Sequence, residues 1–137
     1  MKLGRGENIL NVGSTAGMIA MQRFAAYGAS KSLVIAFYYA LRAELAPYGV
    51  NVTCLTLGIV QTKFAEASGV AFHRGKSSLK KVFAEKKGVA PDVVARAGIT
   101  GMYRGKAQML IGRGARWAVL ASLLVPSHWL PRLGNNF

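Results

Sequence analysis

The chain is poor in cysteine, histidine and acidic residues. A single cysteine, Cys54, in 137 residues excludes an internal disulfide framework and a cysteine-based zinc site. The two histidines, His73 and His128, lie near no acidic cluster, which favours structural or solvent-exposed roles and predicts no metal site. No apolar signal region follows the polar first residues, and no apolar run reaches the ~20 residues that a membrane span needs. We therefore expect a cytoplasmic protein.

The shortage of acidic residues makes the chain strongly basic. Only 5 acidic residues stand against 18 lysines and arginines, which gives a formal net charge of +13. Such an excess suits nucleic acid, anionic lipid or an acidic substrate. The cations are spread along the sequence, and the denser stretch at 74–87 shows no basic-aromatic signature of nucleic-acid binding, so we interpret it as a solvated loop and expect no nucleic-acid partner. Residues 129–133 could lie on a membrane surface, although we expect them to cover the core.

Apolar runs alternate with helical segments along the sequence. Short runs that end in small residues predict parallel strands near residues 8–13, 50–57 and 107–111. A helix is predicted over about 24–45, where Pro47 and Gly49 end it, and two more over about 91–104 and 115–125. Strand, long helix and strand form a right-handed βαβ unit. The pattern predicts one α/β domain, with a long loop and a short helix over 59–90.

Two Gly-x-Gly pairs fall short of a dinucleotide-binding fingerprint. Ile9 takes the third glycine position after Gly4-Arg5-Gly6, and Trp117 takes it after Gly112-Arg113-Gly114. The first pair also precedes a strand, whereas the fingerprint follows one. We interpret both pairs as turns.

The residues that carry chemistry are Ser14, Tyr27 and Lys31. Tyr27 and Lys31 stand four apart near the start of the long helix, so they share one helix face. A neighbouring cation favours the phenolate, and such a tyrosine can give or take a proton when a carbonyl and an alcohol interconvert. Ser14 ends the preceding strand, in the crevice where α/β proteins bind ligands. A Y-x-x-x-K pair alone also occurs on ordinary helix surfaces, but the strand-ending serine and its small-residue loop favour the functional interpretation.

Three ordered motifs resemble those of the short-chain dehydrogenases/reductases. Residues 11–17, Asn-Val-Gly-Ser-Thr-Ala-Gly, are similar to the family's N-x-x-S-x-x-G loop, and residues 27–31, Tyr-Gly-Ala-Ser-Lys, to its Y-x-A-S-K signature. The interval of 13 residues from Ser14 to Tyr27 is the usual one in that family. Residues 57–62, Leu-Gly-Ile-Val-Gln-Thr, resemble P-G-x-V-x-T, with Leu57 in place of the proline.

The resemblance implies a partial Rossmann-type fold and an NAD- or NADP-dependent oxidoreductase that interconverts an alcohol and a carbonyl. It implies that Tyr27 is the acid/base, that Lys31 supports the phenolate and binds the nicotinamide ribose, and that Ser14 orients the substrate carbonyl. Residues 63–90 would form a substrate lid. The cofactor-binding residues that the resemblance implies are Tyr27, Lys31, Gly58, Ile59, Val60 and Thr62.

The resemblance also implies which part of the family's fold is present. The family's Gly-rich cofactor loop precedes these motifs, so residues 1–137 correspond to the C-terminal catalytic half, with the N-terminal half missing. Alone, this half is expected to be inactive. A non-catalytic remnant or an interaction module is therefore the alternative to an enzyme. The resemblance further predicts a homo-oligomer that pairs through the helix at 27–45.

Overall fold

The computed structural model describes residues 6–21, 24–67, 88–112 and 115–124. Within them, three strands form one parallel sheet in the order β1-β2-β3. These strands are β1 (Asn8–Ser14), β2 (Asn51–Leu57) and β3 (Gln108–Ile111). β2 pairs with β1 along its whole length and with β3 along its second half. The predicted α/β fold with parallel strands is confirmed.

Helices connect the strands close to the predicted positions. They are α1 (Ala25–Leu45), α2 (Phe64–Ala67), α3 (Pro91–Tyr103) and α4 (Ala115–Leu124), with single 3-10 turns at Thr15–Gly17 and Ala46–Tyr48. Pro47 opens the turn after α1, and Gly49 ends it in the left-handed conformation at φ 73°. The strand predicted near 8–13 extends one residue further, to Ser14, and the next three residues form a 3-10 turn.

The core lies between α1 and one face of the sheet. Its buried members are Ile35, Tyr38, Val50, Val52 and Cys54. β2 is buried from residue 52 to residue 56, since it has a strand on each side and a helix over each face. Cys54 is a free, fully buried thiol, as expected for a strand residue.

Polar side chains inside this core are hydrogen-bonded to backbone carbonyls. Tyr38 donates its hydroxyl to the Ala107 carbonyl at 2.7 Å, and Thr53 donates to the Lys106 carbonyl at 2.7 Å. The guanidinium of Arg42 donates to the Val52 carbonyl. Burial raises the pKa of Tyr38 above its ordinary value of 10.0, although Arg42 opposes the shift. These bonds join α1 to β2 and to the residues that lead into β3.

Helix α3 covers the opposite face of the sheet. It approaches closely because its inner face carries glycines, and a Cβ on Gly98 would stand 2.7 Å from Leu55 Cδ2. α4 follows β3 and buries Ala115, whereas Trp117 and Leu123 on the same helix are exposed. Within the described ranges, no helix combines the length and apolar character needed to traverse a bilayer.

Several sequence predictions concern residues outside the described ranges. They are His73, His128, the basic stretch at 74–87, residues 129–133, and the parts Gly4-Arg5 and Arg113-Gly114 of the two Gly-x-Gly pairs. All three strands are parallel, so their carboxyl ends meet at one edge of the sheet. Ser14, Gly58 and Gly112 lie at that edge.

Candidate active site

Ser14 is the last residue of β1 and starts the turn that follows. Its backbone is extended, at φ −146° and ψ 151°, and its side chain is buried. The Oγ atom accepts a hydrogen bond from the backbone N–H of Ala16 at 3.2 Å. This bond caps the turn and fixes the hydroxyl at the sheet edge. Because Oγ serves here as acceptor, its own proton remains available for donation.

The turn after Ser14 rests on helix α1. Ser32 donates its hydroxyl to the Gly17 carbonyl at 2.7 Å, which ties the end of the turn to the second helical turn. Ala16 lies against the helix at Gly28, where a Cβ would stand 2.9 Å from the Ala16 carbonyl oxygen. The small residues of the two motifs therefore hold β1 and α1 together.

Tyr27 and Lys31 lie side by side on this part of α1. The Lys31 ammonium is 5.8 Å from the centroid of the Tyr27 ring, and its Nζ donates to the Val12 carbonyl at 3.3 Å. Val12 is two residues before Ser14, so the cation links the helix to the end of β1. Among the described residues, the Tyr27 hydroxyl has no hydrogen-bond partner. The structure thus places Tyr27 beside Lys31 and ties Lys31 to the strand that ends at Ser14.

Two aromatic rings flank Tyr27, and sequence reasoning missed both. Phe24 meets it edge-on, with centroids 6.0 Å apart and planes at 64°, and is buried. Phe64, at the start of α2, lies 5.0 Å from it at 44° and is 37% exposed. Phe24 stands three residues before Tyr27, a helical spacing that could have indicated the contact. No local sequence pattern indicates the Phe64 contact, because it depends on the path of the loop after β2.

Gly58 follows β2 and faces the end of β3. Its N–H donates to the Ile111 carbonyl at 2.7 Å, and a Cβ at Gly58 would stand 3.3 Å from both Gly112 Cα and Ala115 Cβ. Gly112 has a φ of 150°, which favours glycine. The resemblance implied that Gly58 allows close approach to a nicotinamide ring. In the structure, the close approach at Gly58 is to Gly112 and the first residue of α4.

The next residues present hydrogen-bond donors at the same edge. The Ile59 carbonyl accepts from Val89 N–H at 3.0 Å, and the Val60 carbonyl accepts from Thr62 N–H at 2.9 Å. Within the described part of the chain, the N–H groups of Ile59 and Val60 have no partner. The Thr62 hydroxyl accepts from Phe64 N–H at 3.3 Å and keeps its proton. Two amide donors and one hydroxyl donor therefore lie in four consecutive residues.

The two ends of the predicted lid are fastened to each other. Gln61 N–H donates to the Val89 carbonyl at 3.0 Å, and its side-chain amide donates to the Gly88 carbonyl at 3.0 Å. A Cβ on Gly88 would stand 2.9 Å from Gln61 N, so only glycine fits here without movement. Residues 68–87 of the predicted lid lie outside the described ranges. The pairing fixes where the 63–90 segment leaves and rejoins the site.

Comparison with known proteins identifies the family. The sequence profile of the family described as short chain dehydrogenase matches residues 1–71. The chain belongs to the short-chain dehydrogenase family. All three motifs at 11–17, 27–31 and 57–62 lie within the matched residues.

Individual relatives agree with this assignment. The chain is 40% identical over 84 residues to a sulfoacetaldehyde reductase of Chromohalobacter salexigens, a match that covers 56% of this chain and 33% of the reductase. It is 47% identical over 55 residues to the NADPH-dependent 1-acyldihydroxyacetone phosphate reductase of Schizosaccharomyces pombe, covering 40% of this chain and 19% of that enzyme. The chain thus spans a third or less of these curated relatives.

A solved structure shows the same fold. The TT0495 protein of Thermus thermophilus superposes with a TM-score of 0.60 at 21% identity, covering 80% of this chain and 48% of that one. At this identity the likeness supports the α/β fold and carries no argument about activity.

Proposed function

We propose that the chain provides the catalytic centre of an NAD- or NADP-dependent oxidoreductase that interconverts an alcohol and a carbonyl. The observation that carries this proposal is the position of Lys31. Its ammonium lies 5.8 Å from the Tyr27 ring centroid while it is held by the Val12 carbonyl at the end of the serine-bearing strand. A phenol, a cation and a buried serine hydroxyl at one sheet edge suit proton transfer to a carbonyl oxygen.

In this proposal each of the three side chains has a separate task. The Ser14 hydroxyl donates a hydrogen bond to the substrate oxygen, because its proton is not used in the bond that it accepts from Ala16 N–H. The Tyr27 hydroxyl gives its proton to that oxygen in reduction and takes it back in oxidation. The Lys31 ammonium stabilises the negative charge that remains on the phenol oxygen. When bound, the dinucleotide supplies or accepts the hydride.

The residues after β2 fit the nicotinamide end of such a cofactor. A carboxamide carries an acceptor oxygen, and the N–H groups of Ile59 and Val60 are donors without a partner among the described residues. Thr62 adds a hydroxyl proton. Lys31 would bind the ribose hydroxyls. The family generally uses NAD or NADP, and the name of the fission-yeast relative specifies NADPH, which supports this cofactor class.

We further propose that two copies pair through α1. Six residues at helical spacing lie exposed on its outer face: Ala26, Ser30, Leu33, Phe37, Ala40 and Glu44. Leu33 and Phe37 are 68% and 54% exposed in the centre of this face. Small residues on either side would let another helix approach closely.

The proposal is tested by comparing the turnover of the Tyr27→Phe variant with that of the unchanged chain. Activity with NADH and NADPH and a reactive aldehyde is measured in the chain itself. It is also measured in a fusion in which this chain replaces the matching part of the Chromohalobacter reductase. We expect Tyr27→Phe to lower kcat by roughly a hundredfold or more, with dinucleotide affinity largely kept. Retention of more than about a tenth of the rate would remove Tyr27 from the acid/base role.

A further inference from the structure

A concavity lies away from the sheet edge that carries Ser14 and from the Tyr27–Lys31 pair. It is formed by the second half of α3 and by β3, on the face of the sheet that α1 does not cover. Its volume is about 290 Å³. We call it the α3–β3 groove. α3 runs back toward the amino ends of the strands, so the groove and the candidate active site occupy different ends of the sheet.

Three cations line this groove. Arg96 and Thr100 are four residues apart on α3, and Arg104, four residues further, caps the end of the helix, so all three side chains project from one side of it. Lys106 follows the end of the helix. No carboxylate lines the groove, and within the described ranges none of the three cationic side chains has an ion-pair partner. The last turn of α3 contributes about half a negative charge, which three full positive charges exceed.

The floor of the groove is apolar and close to the helix backbone. It consists of Ala97, Gly101 and Met109. A side chain on Gly101 would collide with the sulfur of Met109, so the methionine lies directly against α3. A ligand in the groove would therefore meet apolar side chains and the helix backbone as well as positive charges.

We propose that the α3–β3 groove binds the phosphate group of a phosphomonoester. Two guanidinium groups present paired donors that match phosphate oxygens, and a dianion is the ligand that gains most from several converging cations. The Thr100 hydroxyl adds a neutral donor. The Ala97 and Met109 surface accepts the carbon atoms next to the ester. The groove is a single concavity and not a track, so it holds one phosphate group and not the repeated phosphates of a nucleic acid.

Such a phosphate could belong to a free metabolite or to a lipid headgroup. Glycerol 3-phosphate represents the first source. Phosphatidylcholine vesicles with and without phosphatidic acid represent the second. Binding of glycerol 3-phosphate to the full chain is followed by the amide NMR shifts of Thr100 and Gly101. Vesicle binding is followed by co-sedimentation. Both are repeated with Arg96→Gln and Arg104→Gln, and with Arg116→Gln as a control of equal charge change on exposed α4.

We expect saturable shifts at Thr100 and Gly101 that weaken about fivefold for each arginine removed from the groove, and that Arg116→Gln leaves unchanged. Co-sedimentation that needs phosphatidic acid and both arginines would assign the phosphate to a lipid, and glycerol 3-phosphate binding without co-sedimentation would assign it to a free ester. Either result supports the proposal that the groove binds a phosphate group. The proposal is overturned if glycerol 3-phosphate gives no saturable shift and no arginine-dependent co-sedimentation occurs, if Arg116→Gln weakens binding as much as the groove variants, or if a duplex oligonucleotide binds in preference to the ester.

Discussion

Gly17 lies directly on the backbone of Lys31. A Cβ on Gly17 would stand 2.6 Å from the Lys31 carbonyl carbon and 2.7 Å from the amide nitrogen of Ser32. The turn that carries Ser14 can therefore rest on α1 only if residue 17 has no side chain. This contact fixes how closely the turn after Ser14 packs on the helix that carries Tyr27 and Lys31.

The first prediction is that Gly17→Ala destabilises the chain. The added methyl meets helix backbone, which cannot move aside as a flexible side chain would, so we expect a loss of about 1–3 kcal/mol in the free energy of unfolding. Gly13→Ala is the matched control, because its Cβ would meet nothing nearer than 3.4 Å. Urea denaturation measures both. Equal effects of the two substitutions would contradict the steric argument.

Local patterns were sufficient to predict the elements and part of the site. The strands and helices follow from apolar periodicity and from breakers such as Pro47 and Gly49, which act over a few residues. The Tyr27–Lys31 pair follows from helical spacing, and Ser14 from its place at a strand end. The roles of the three residues remain predictions.

Contacts that depend on how separate elements pack could not be predicted in the same way. The Phe64 ring reaches Tyr27 only because the loop after β2 turns back toward α1. Gly58 meets Gly112 only because β2 and β3 are neighbours in the sheet. The resemblance at residues 57–62 predicts contacts with a cofactor, and it gives no indication that Gly58 packs against Gly112.

The second prediction concerns Lys31 and rests on the proposed function. Lys31→Met removes the cation beside the phenol and the bond to Val12, so both turnover and dinucleotide affinity should fall in the fusion protein. Lys31→Arg keeps the charge, so we expect it to lose less turnover and less dinucleotide affinity than Lys31→Met. Steady-state kinetics with a dinucleotide titration separates the two effects. If Lys31→Met lowers turnover with unchanged dinucleotide affinity, the proposed ribose contact is wrong.

The third prediction concerns the ring beside the acid/base. Phe64→Ala opens space against Tyr27 at the start of the lid segment, whereas Phe24 supports the same ring from the buried side. We expect Phe64→Ala to raise KM for an apolar aldehyde by about tenfold while stability changes little, because the Phe64 side chain is partly exposed. Phe24→Ala should instead lower stability by roughly 3 kcal/mol. If Phe64→Ala lowers stability and leaves KM unchanged, the Phe64 side chain belongs to the core and not to the substrate site.

The fourth prediction uses the raised pKa of Tyr38. An unfolded tyrosine loses its proton near 10.0, while burial keeps the folded one protonated to higher pH. Its stabilising contribution is full below pH 10 and is lost as pH rises through the folded pKa. Tyr38→Phe should cost about 1 kcal/mol near neutral pH, where the bond to Ala107 is lost. The Phe variant should also lose less stability as the pH rises above 10.

Exposed Tyr48 provides the control for this experiment. It is 61% exposed, so Tyr48→Phe should leave the free energy of unfolding unchanged. Urea denaturation at several pH values compares the two variants with the unchanged chain. An alkaline loss of stability that is identical in Tyr38→Phe and in the unchanged chain would show that other groups cause it.

The last prediction concerns the proposed pairing through α1. Leu33 and Phe37 stand one helical turn apart on the exposed face, and a lysine at each would place like charges opposite each other across a twofold axis. The double substitution should therefore lower the mass measured by analytical ultracentrifugation to that of one chain. Leu123→Lys is the control, since Leu123 is 76% exposed on α4 and equally able to drive association. If Leu123→Lys dissociates the assembly and the α1 substitutions do not, the copies associate through α4 and the proposed pairing is wrong.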